Sequence, residues 1–252
     1  SPMSWGSWVL LIVYGILLVS ALVRLPESWP WLGSRVPALK SASEYFTGSP
    51  ARMRWLGYVN IAFGIAVGIY TGILLNTMVA RPLWNTSVLP LLFLVSGLSA
   101  AAAAMHLASS VFPGRPAPRS LIGGALAAMT QPIGPQPPEK RTVDSLIRAD
   151  VALLVVELVL IALLLMSLAT STLSQIEAAK LLFAGKYGLV FWVGVIAVGI
   201  LVPIVLQALE LSHRIPHTVI PAVLVLVGGF ALRWVLVNAG QASEIVSTAA
   251  RF

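Results

Sequence analysis

Long apolar stretches, separated by short polar connections, set the pattern of this chain. A helix needs about 20 mostly apolar residues to cross the hydrocarbon core of a bilayer. Six stretches meet that requirement: 3–23, 56–80, 87–112, 149–173, 187–210 and 217–240. Their apolar residues run continuously and do not alternate, which predicts membrane helices and not a barrel. Pro203 and Pro221 fall inside two of them. Neighbouring helices can satisfy the backbone groups that such prolines release. The expected fold is therefore an all-α integral membrane protein of six spans. The segment Ser120–Thr130 is too short to cross and precedes the proline-rich Gln131–Pro138, so it reads as an interfacial or packed piece. No period of 20–50 residues repeats, and no soluble linker divides the sequence, which makes residues 1–252 one transmembrane domain.

Composition agrees with lipid as the solvent. The chain is 58% hydrophobic and 10% charged, where a soluble domain carries about 25% charged residues. It contains no cysteine, which excludes internal disulfides, thiolate-held iron–sulfur clusters and Cys-ligated zinc. The formal charge of +7 would point a soluble protein toward nucleic acid. Here its simpler source is the set of basic loops that orient membrane helices and attract anionic lipid. Summed over alternate connections, eleven Lys and Arg residues fall on one side and four on the other, with Arg233 inside the last span. The richer side is expected to be cytoplasmic. Both ends of the chain then face outward from a prokaryotic cytoplasmic (inner) membrane. Ser1 opens the chain, and the run Met3–Val23 has no basic flank ahead of it, unlike a signal peptide. Processing or an upstream piece is expected.

Ionisable groups at membrane depth are expensive and mark function by default. Glu157 lies among Val155, Val156, Leu158 and Val159. It suits either proton relay or a neutral hydrogen bond between helices. Arg148 and Asp150 open the same span, and Gln207 and Glu210 close the fifth on the same side. Glu157, Arg148, Asp150 and Glu210 together are candidates for a proton path, although Arg148 and Asp150 also suit a snorkelling interfacial pair. Arg233, permanently charged, lies near the outer end of the last span with Asn238 and Gln241 on following turns. Tyr70, Thr71 and Asn76 occupy the outer end of the second span, ahead of Arg81-Pro82-Leu83-Trp84-Asn85. There a phenol, an amide and an arginine suit a quinone head group, while Trp84 also suits an interfacial anchor. Gly64, Gly68 and Gly72 share one face of the second span and predict a packing seam. His106, His213 and His217 are placed for at most one haem near the inner side, although single histidines near helix ends are commonly satisfied locally.

Five segments, in order, resemble the NrfD/PsrC family of integral membrane subunits. They are Ser1-Pro-Met-Ser-Trp-Gly-Ser-Trp8, Gly68-Ile-Tyr-Thr-Gly-Ile-Leu-Leu75, Arg81-Pro-Leu-Trp-Asn-Thr86 with Leu89-Pro-Leu-Leu-Phe-Leu-Val-Ser96, Gly185-Lys-Tyr-Gly-Leu-Val-Phe-Trp192 and Leu232-Arg-Trp-Val-Leu-Val-Asn-Ala-Gly-Gln241. The resemblance implies a subunit without haem or iron–sulfur cluster that binds menaquinone or ubiquinone near the outer face. It also implies a four-cluster iron–sulfur partner and a catalytic partner, often of the molybdopterin type. The family's quinone-contacting tyrosine falls on Tyr70, and its arginines fall on Arg233 and Arg148. Family bundles have eight or more helices, and the Ser-Pro-x-Ser-Trp-Gly motif opens the third. Two N-terminal helices are therefore expected upstream or on another polypeptide. The alternatives are a purely structural membrane anchor, a haem-bearing cytochrome and a secondary transporter. The last would show an inverted repeat, and none is found.

Overall fold

The computed structural model describes residues 2–28, 35–111, 140–214 and 218–243, with no strand among them. The helices are α1 (Pro2–Ser28), α2 (Pro37–Thr47), α3 (Pro50–Asn76), α4 (Leu89–Val111), α5 (Lys140–Ala169) and α6 (Leu173–Phe183). A π-helix (Val190–Leu201) then runs directly into α7 (Val202–Leu211), and α8 (Ile220–Ala242) closes the order. Six stretches are long and apolar enough to cross a membrane. The protein is thus an all-α, multi-pass membrane protein, as its apolar runs predict.

The helix ends differ from the expected spans for a physical reason. Hydropathy marks only the part of a helix that sits in hydrocarbon, while backbone hydrogen bonding continues beyond it. Helix α3 begins at Pro50 instead of 56, and α5 begins at Lys140 instead of 149. The added turns carry polar residues such as Arg52, Arg54, Asp144 and Arg148. Helices α2 and α6 have 11 residues each, and the apolar pattern does not predict them. At about 1.5 Å per residue they are far too short to cross. The segments Ser120–Thr130 and Gln131–Pro138, together with His217, lie outside the described residues.

The chain forms two compact units, residues 1–67 with 111–138 and residues 68–110 with 139–252. In the first, α2 packs on α1. Asn60 of α3 donates to Ser20 Oγ of α1 at 2.8 Å and to its own helix at Leu56 O. This is a polar tie between two helices whose other residues are largely apolar. Helix α2 turns Ser43 inward and keeps its Lys40–Glu44 pair outside. Arg52 lies over the Tyr45 ring, 4.0 Å from its centroid.

The second unit holds the core. Phe191 of the π-helix, Leu154, Ile161, Leu164 and Leu168 of α5, Leu182 of α6, and Leu232 and Leu236 of α8 are fully or almost fully buried. Large residues such as Leu189, Val159 and Phe230 point outward. Since lipid is as apolar as leucine, this core is held by close packing and polar ties more than by water exclusion. Close packing is greatest between the π-helix and α8. A Cβ on Gly199 would lie 2.5 Å from the Gly228 Cα, and one on Gly228 would lie 2.2 Å from the Gly199 Cα. Only glycine at both positions lets these backbones touch. Pro203, one turn later, offers no N–H to the Gly199 carbonyl four residues back and crowds it. The wider π turns accommodate that crowding, and the Val202 N–H reaches Ala197 O, five residues back.

The expected glycine seam on α3 divides. Gly72 meets the Pro90 backbone of α4 at 2.3 Å from an added Cβ, and Gly68 meets Leu94 at 2.8 Å, but Gly64 has nothing within 4 Å. The connection between α3 and α4 is a clamp. Arg81 Nη1 donates to Ser243 O at 2.9 Å, and the Trp84 indole N–H donates to Leu236 O at 2.9 Å. Gln175 of α6 donates to Asn85 O at 2.8 Å. Trp84 is 4% exposed, so it secures the end of α8 instead of anchoring at the membrane surface.

Candidate functional site

Ionisable and hydroxyl-bearing side chains gather on the inward faces of α4, α5, α7 and α8 of the second unit. Asp150 and Glu157 are seven residues apart on α5, close to two turns and about 10 Å, and therefore share a face. Each is 3% exposed. The spacing of an amphipathic stripe is used here to keep two carboxylates off the lipid.

Asp150 is well satisfied. Ser99 Oγ of α4 donates to its Oδ1 at 2.7 Å, and Gln207 Nε2 of α7 donates to its Oδ2 at 2.6 Å. His106, two turns after Ser99 on α4 and also buried, is close enough to act on Asp150 electrostatically. Buried charge needs this kind of pairing and hydrogen bonding to persist at membrane depth.

Glu157 has a looser surrounding. The Ser96 hydroxyl and the Arg233 guanidinium are its polar neighbours, and Asp150 acts on it from along the helix. Ser96 Oγ is buried and has no hydrogen bond of ordinary geometry among the described residues. Arg233 of α8 donates Nη1 to Gly229 O at 2.9 Å. Its guanidinium occupies a slot between two glycines. A Cβ on Gly97 would come within 3.7 Å of Nη2, and one on Gly229 within 3.1 Å of Nη1 and 3.7 Å of Ser96 Oγ. The ion pairs within 4 Å among the described residues are Lys40–Glu44 and Lys180–Glu177, both toward the surface. Glu157 and Arg233 thus face each other electrostatically without forming a direct bridge.

Glu210, at the end of α7, is completely buried. Its Oε1 accepts the Thr218 N–H at 2.9 Å and the Thr218 hydroxyl at 2.8 Å. It holds the start of α8, where a carboxylate also meets the positive end of the helix dipole. Arg148 is exposed, and two residues along a helix it points away from the face that Asp150 presents.

The residues expected around a quinone head group fall into two sets. Thr71 Oγ1 donates to Gly68 O at 3.3 Å, and Asn238 Nδ2 donates to Trp234 O at 2.8 Å. Gln241 is exposed, and Tyr70 and Asn76 are half-buried. Tyr70 and Arg233 share no hydrogen bond among the described residues. Helix α8 continues to Ala242, which puts Arg233 about nine residues, or roughly 14 Å, from its end, deeper than expected. Sequence reasoning misses Ser96, Ser99, Gly97 and Gly229. The available signal is the spacing of Ser96, Ser99 and His106, which keeps all three near one face of α4. The sequence offers His106 either as a haem ligand or as a locally satisfied histidine, and its place is beside Asp150.

Comparison with known proteins gives a consistent set. The family model described as "Polysulphide reductase, NrfD" matches residues 1–244. The C subunit of polysulfide reductase from Wolinella succinogenes is 33% identical over 193 residues, which is 75% of this chain and 54% of that protein. A Protein NrfD homolog of Haemophilus influenzae is 30% identical over 178 residues, 69% of this chain and 49% of its own length. Protein NrfD of Escherichia coli is 28% identical over 190 residues, 75% of this chain and 53% of its own. The chain spans about half the length of these curated relatives.

Proposed function

This chain belongs to the polysulphide reductase NrfD family, and from that premise we propose that it is the quinone-reactive membrane subunit of a respiratory oxidoreductase. In this reading it passes electrons between a membrane quinone, menaquinone or ubiquinone, and a four-cluster iron–sulfur subunit. That partner in turn serves a catalytic subunit of the molybdopterin type. The observation that carries the proposal is a pair of carboxylates buried on one face of α5, one of them facing a half-buried guanidinium at membrane depth. A structural anchor has no need of such costly groups.

The chemistry of the donors fits a quinone. A quinone ring offers carbonyl oxygens that accept hydrogen bonds, and its reduction takes up two electrons and two protons. The Tyr70 hydroxyl and Arg233 Nη2 make no hydrogen bond among the described residues, and Ser96 Oγ is a buried hydroxyl in the same condition. Tyr70 and Arg233 are the groups that would orient the carbonyls, as the family resemblance assigns them. Glu157, which faces Arg233, would be the group that holds a proton there. Ser96, Ser99 and Asp150 continue the polar row toward Gln207, and along it protons exchange with one side of the membrane. Adjacent carboxylates on α5 are about 10 Å apart, so the hydroxyls of α4 and water must bridge them.

The test is quinol-dependent turnover by the intact complex in liposomes, with proton movement recorded by a pH-sensitive dye. Tyr70→Phe should lower turnover by tenfold or more while leaving subunit content unchanged. Glu157→Gln should slow proton movement and turnover together. Full turnover and proton movement in both variants would leave only an anchoring role.

A further inference from the structure

The first unit contains a cavity that the functional reading does not use. It measures about 630 Å³ and is lined by Ile12, Ile16 and Val19 of α1, Phe46 of α2, and Trp55 and Leu56 of α3, with Gly15, Val59, Tyr45 and Arg52 completing it. Its wall is almost entirely apolar. The exception is at one end, where Arg52 stands in the first turn of α3 beside Tyr45 of the short helix α2. That end adjoins the segment where Arg24, Arg35, Lys40, Arg52 and Arg54 gather in the sequence. From Arg52 the groove continues along α3 to Val59 and along α1 between Val19 and Ile12, about 10 Å on each helix.

We propose that this groove binds one anionic phospholipid, with the phosphate at Arg52 and an acyl tail along the apolar wall. Three features select that occupant. Among the described residues Arg52 makes no hydrogen bond or ion pair, and none of those lining the cavity is acidic. A guanidinium stacked on an aromatic ring keeps its N–H edge in plane, where it fits a phosphate bidentately. The only carboxylate of the adjoining helix, Glu44, is already paired with Lys40 at 3.8 Å. The polar lining is one cation at one end of a long apolar channel, which is the charge pattern of a phosphatidylglycerol and not of a neutral quinone ring. Gly15 forms part of the channel and has nothing within 4 Å of an added Cβ.

The experiment uses the complex as it purifies, placed in phosphatidylcholine nanodiscs that contain graded amounts of a lipid with brominated tails. Bromine quenches nearby tryptophan, and a Trp55→Phe variant identifies the component from the groove. Brominated phosphatidylglycerol should reach half-maximal quenching at about fivefold lower mole fraction than brominated phosphatidylcholine, the preference expected of one basic residue at a membrane surface. Arg52→Gln should abolish that preference, and Arg52→Lys should keep most of it. Gly15→Leu should fill the channel and weaken quenching by both lipids without lowering thermal stability. The proposal is overturned by equal quenching from the two lipids, or by a preference that survives Arg52→Gln. It is equally overturned if Trp55 is shielded from both, which would mean that a protein helix fills the groove. Loss of copurifying quinone from both Arg52→Gln and Gly15→Leu would assign the groove to quinone instead.

Discussion

Replacing Gly240 by alanine puts a methyl group where the Trp84 indole already lies. The added Cβ would fall 1.8 Å from Nε1, 2.2 Å from Cε2 and 2.5 Å from Cδ1. A rigid ring cannot yield by a small torsion, so the indole must leave its site. Its departure breaks the 2.9 Å bond to Leu236 O and strands a buried N–H, at a cost of about 1–3 kcal/mol. Overpacking adds about 1–3 kcal/mol, while alanine returns about 1 kcal/mol of helix propensity. The net loss is about 3 kcal/mol, and at about 2–4 °C per kcal/mol for a protein of this size the Tm should fall by roughly 6–12 °C. Intrinsic fluorescence during thermal unfolding of the purified protein measures it. Gly64→Ala is the control, because nothing lies within 4 Å of its added Cβ, and its Tm should hold or rise slightly. Trp84→Phe combined with Gly240→Ala should cost less than the two changes summed, since both act on one contact. If Gly240→Ala unfolds like Gly64→Ala, or if the double variant is simply additive, the clamp is misread.

Three further substitutions probe the buried row. Gly229→Ala brings a methyl to 3.1 Å of Arg233 Nη1, whereas Gly97→Ala comes only to 3.7 Å of Nη2. The first should displace the guanidinium and lower quinol turnover several-fold with Tm within a few degrees, and the second should change neither; steady-state assays on the intact complex distinguish them. Gln207→Leu removes the 2.6 Å donor from Asp150 and should destabilise the protein by about 1–3 kcal/mol, read as a lower Tm, while a gain in stability would contradict the hydrogen bond.

The spans were legible in the sequence because hydrocarbon imposes one demand, an apolar run of fixed minimum length. The helix ends were hidden, since Lys140 to Arg148 continues α5 in polar residues that hydropathy cannot assign. Helices α2 and α6 were hidden as well, because eleven mixed residues carry neither the length nor the apolarity of a span. Glu157 and Asp150 were visible as charges in apolar surroundings. Their partners Ser96 and Ser99 were not, because serine is unremarked in a membrane helix until a neighbour gives its hydroxyl a task. Trp84 shows the same limit from the other direction. An aromatic residue near a span's end fits an interfacial anchor equally well until Gly240 is seen to receive it.

The contact of Gly199 with Gly228 has a mechanical consequence. Two backbones that touch without intervening side chains cannot slide past each other by exchanging rotamers, so α8 can tilt there more readily than it can travel. Thr218, bound to Glu210, is about ten residues to one side of this pivot, and Arg233 is about five residues to the other. With arms of about 15 Å and 7.5 Å, a shift at the Glu210 end reaches the guanidinium reversed in direction and halved in size.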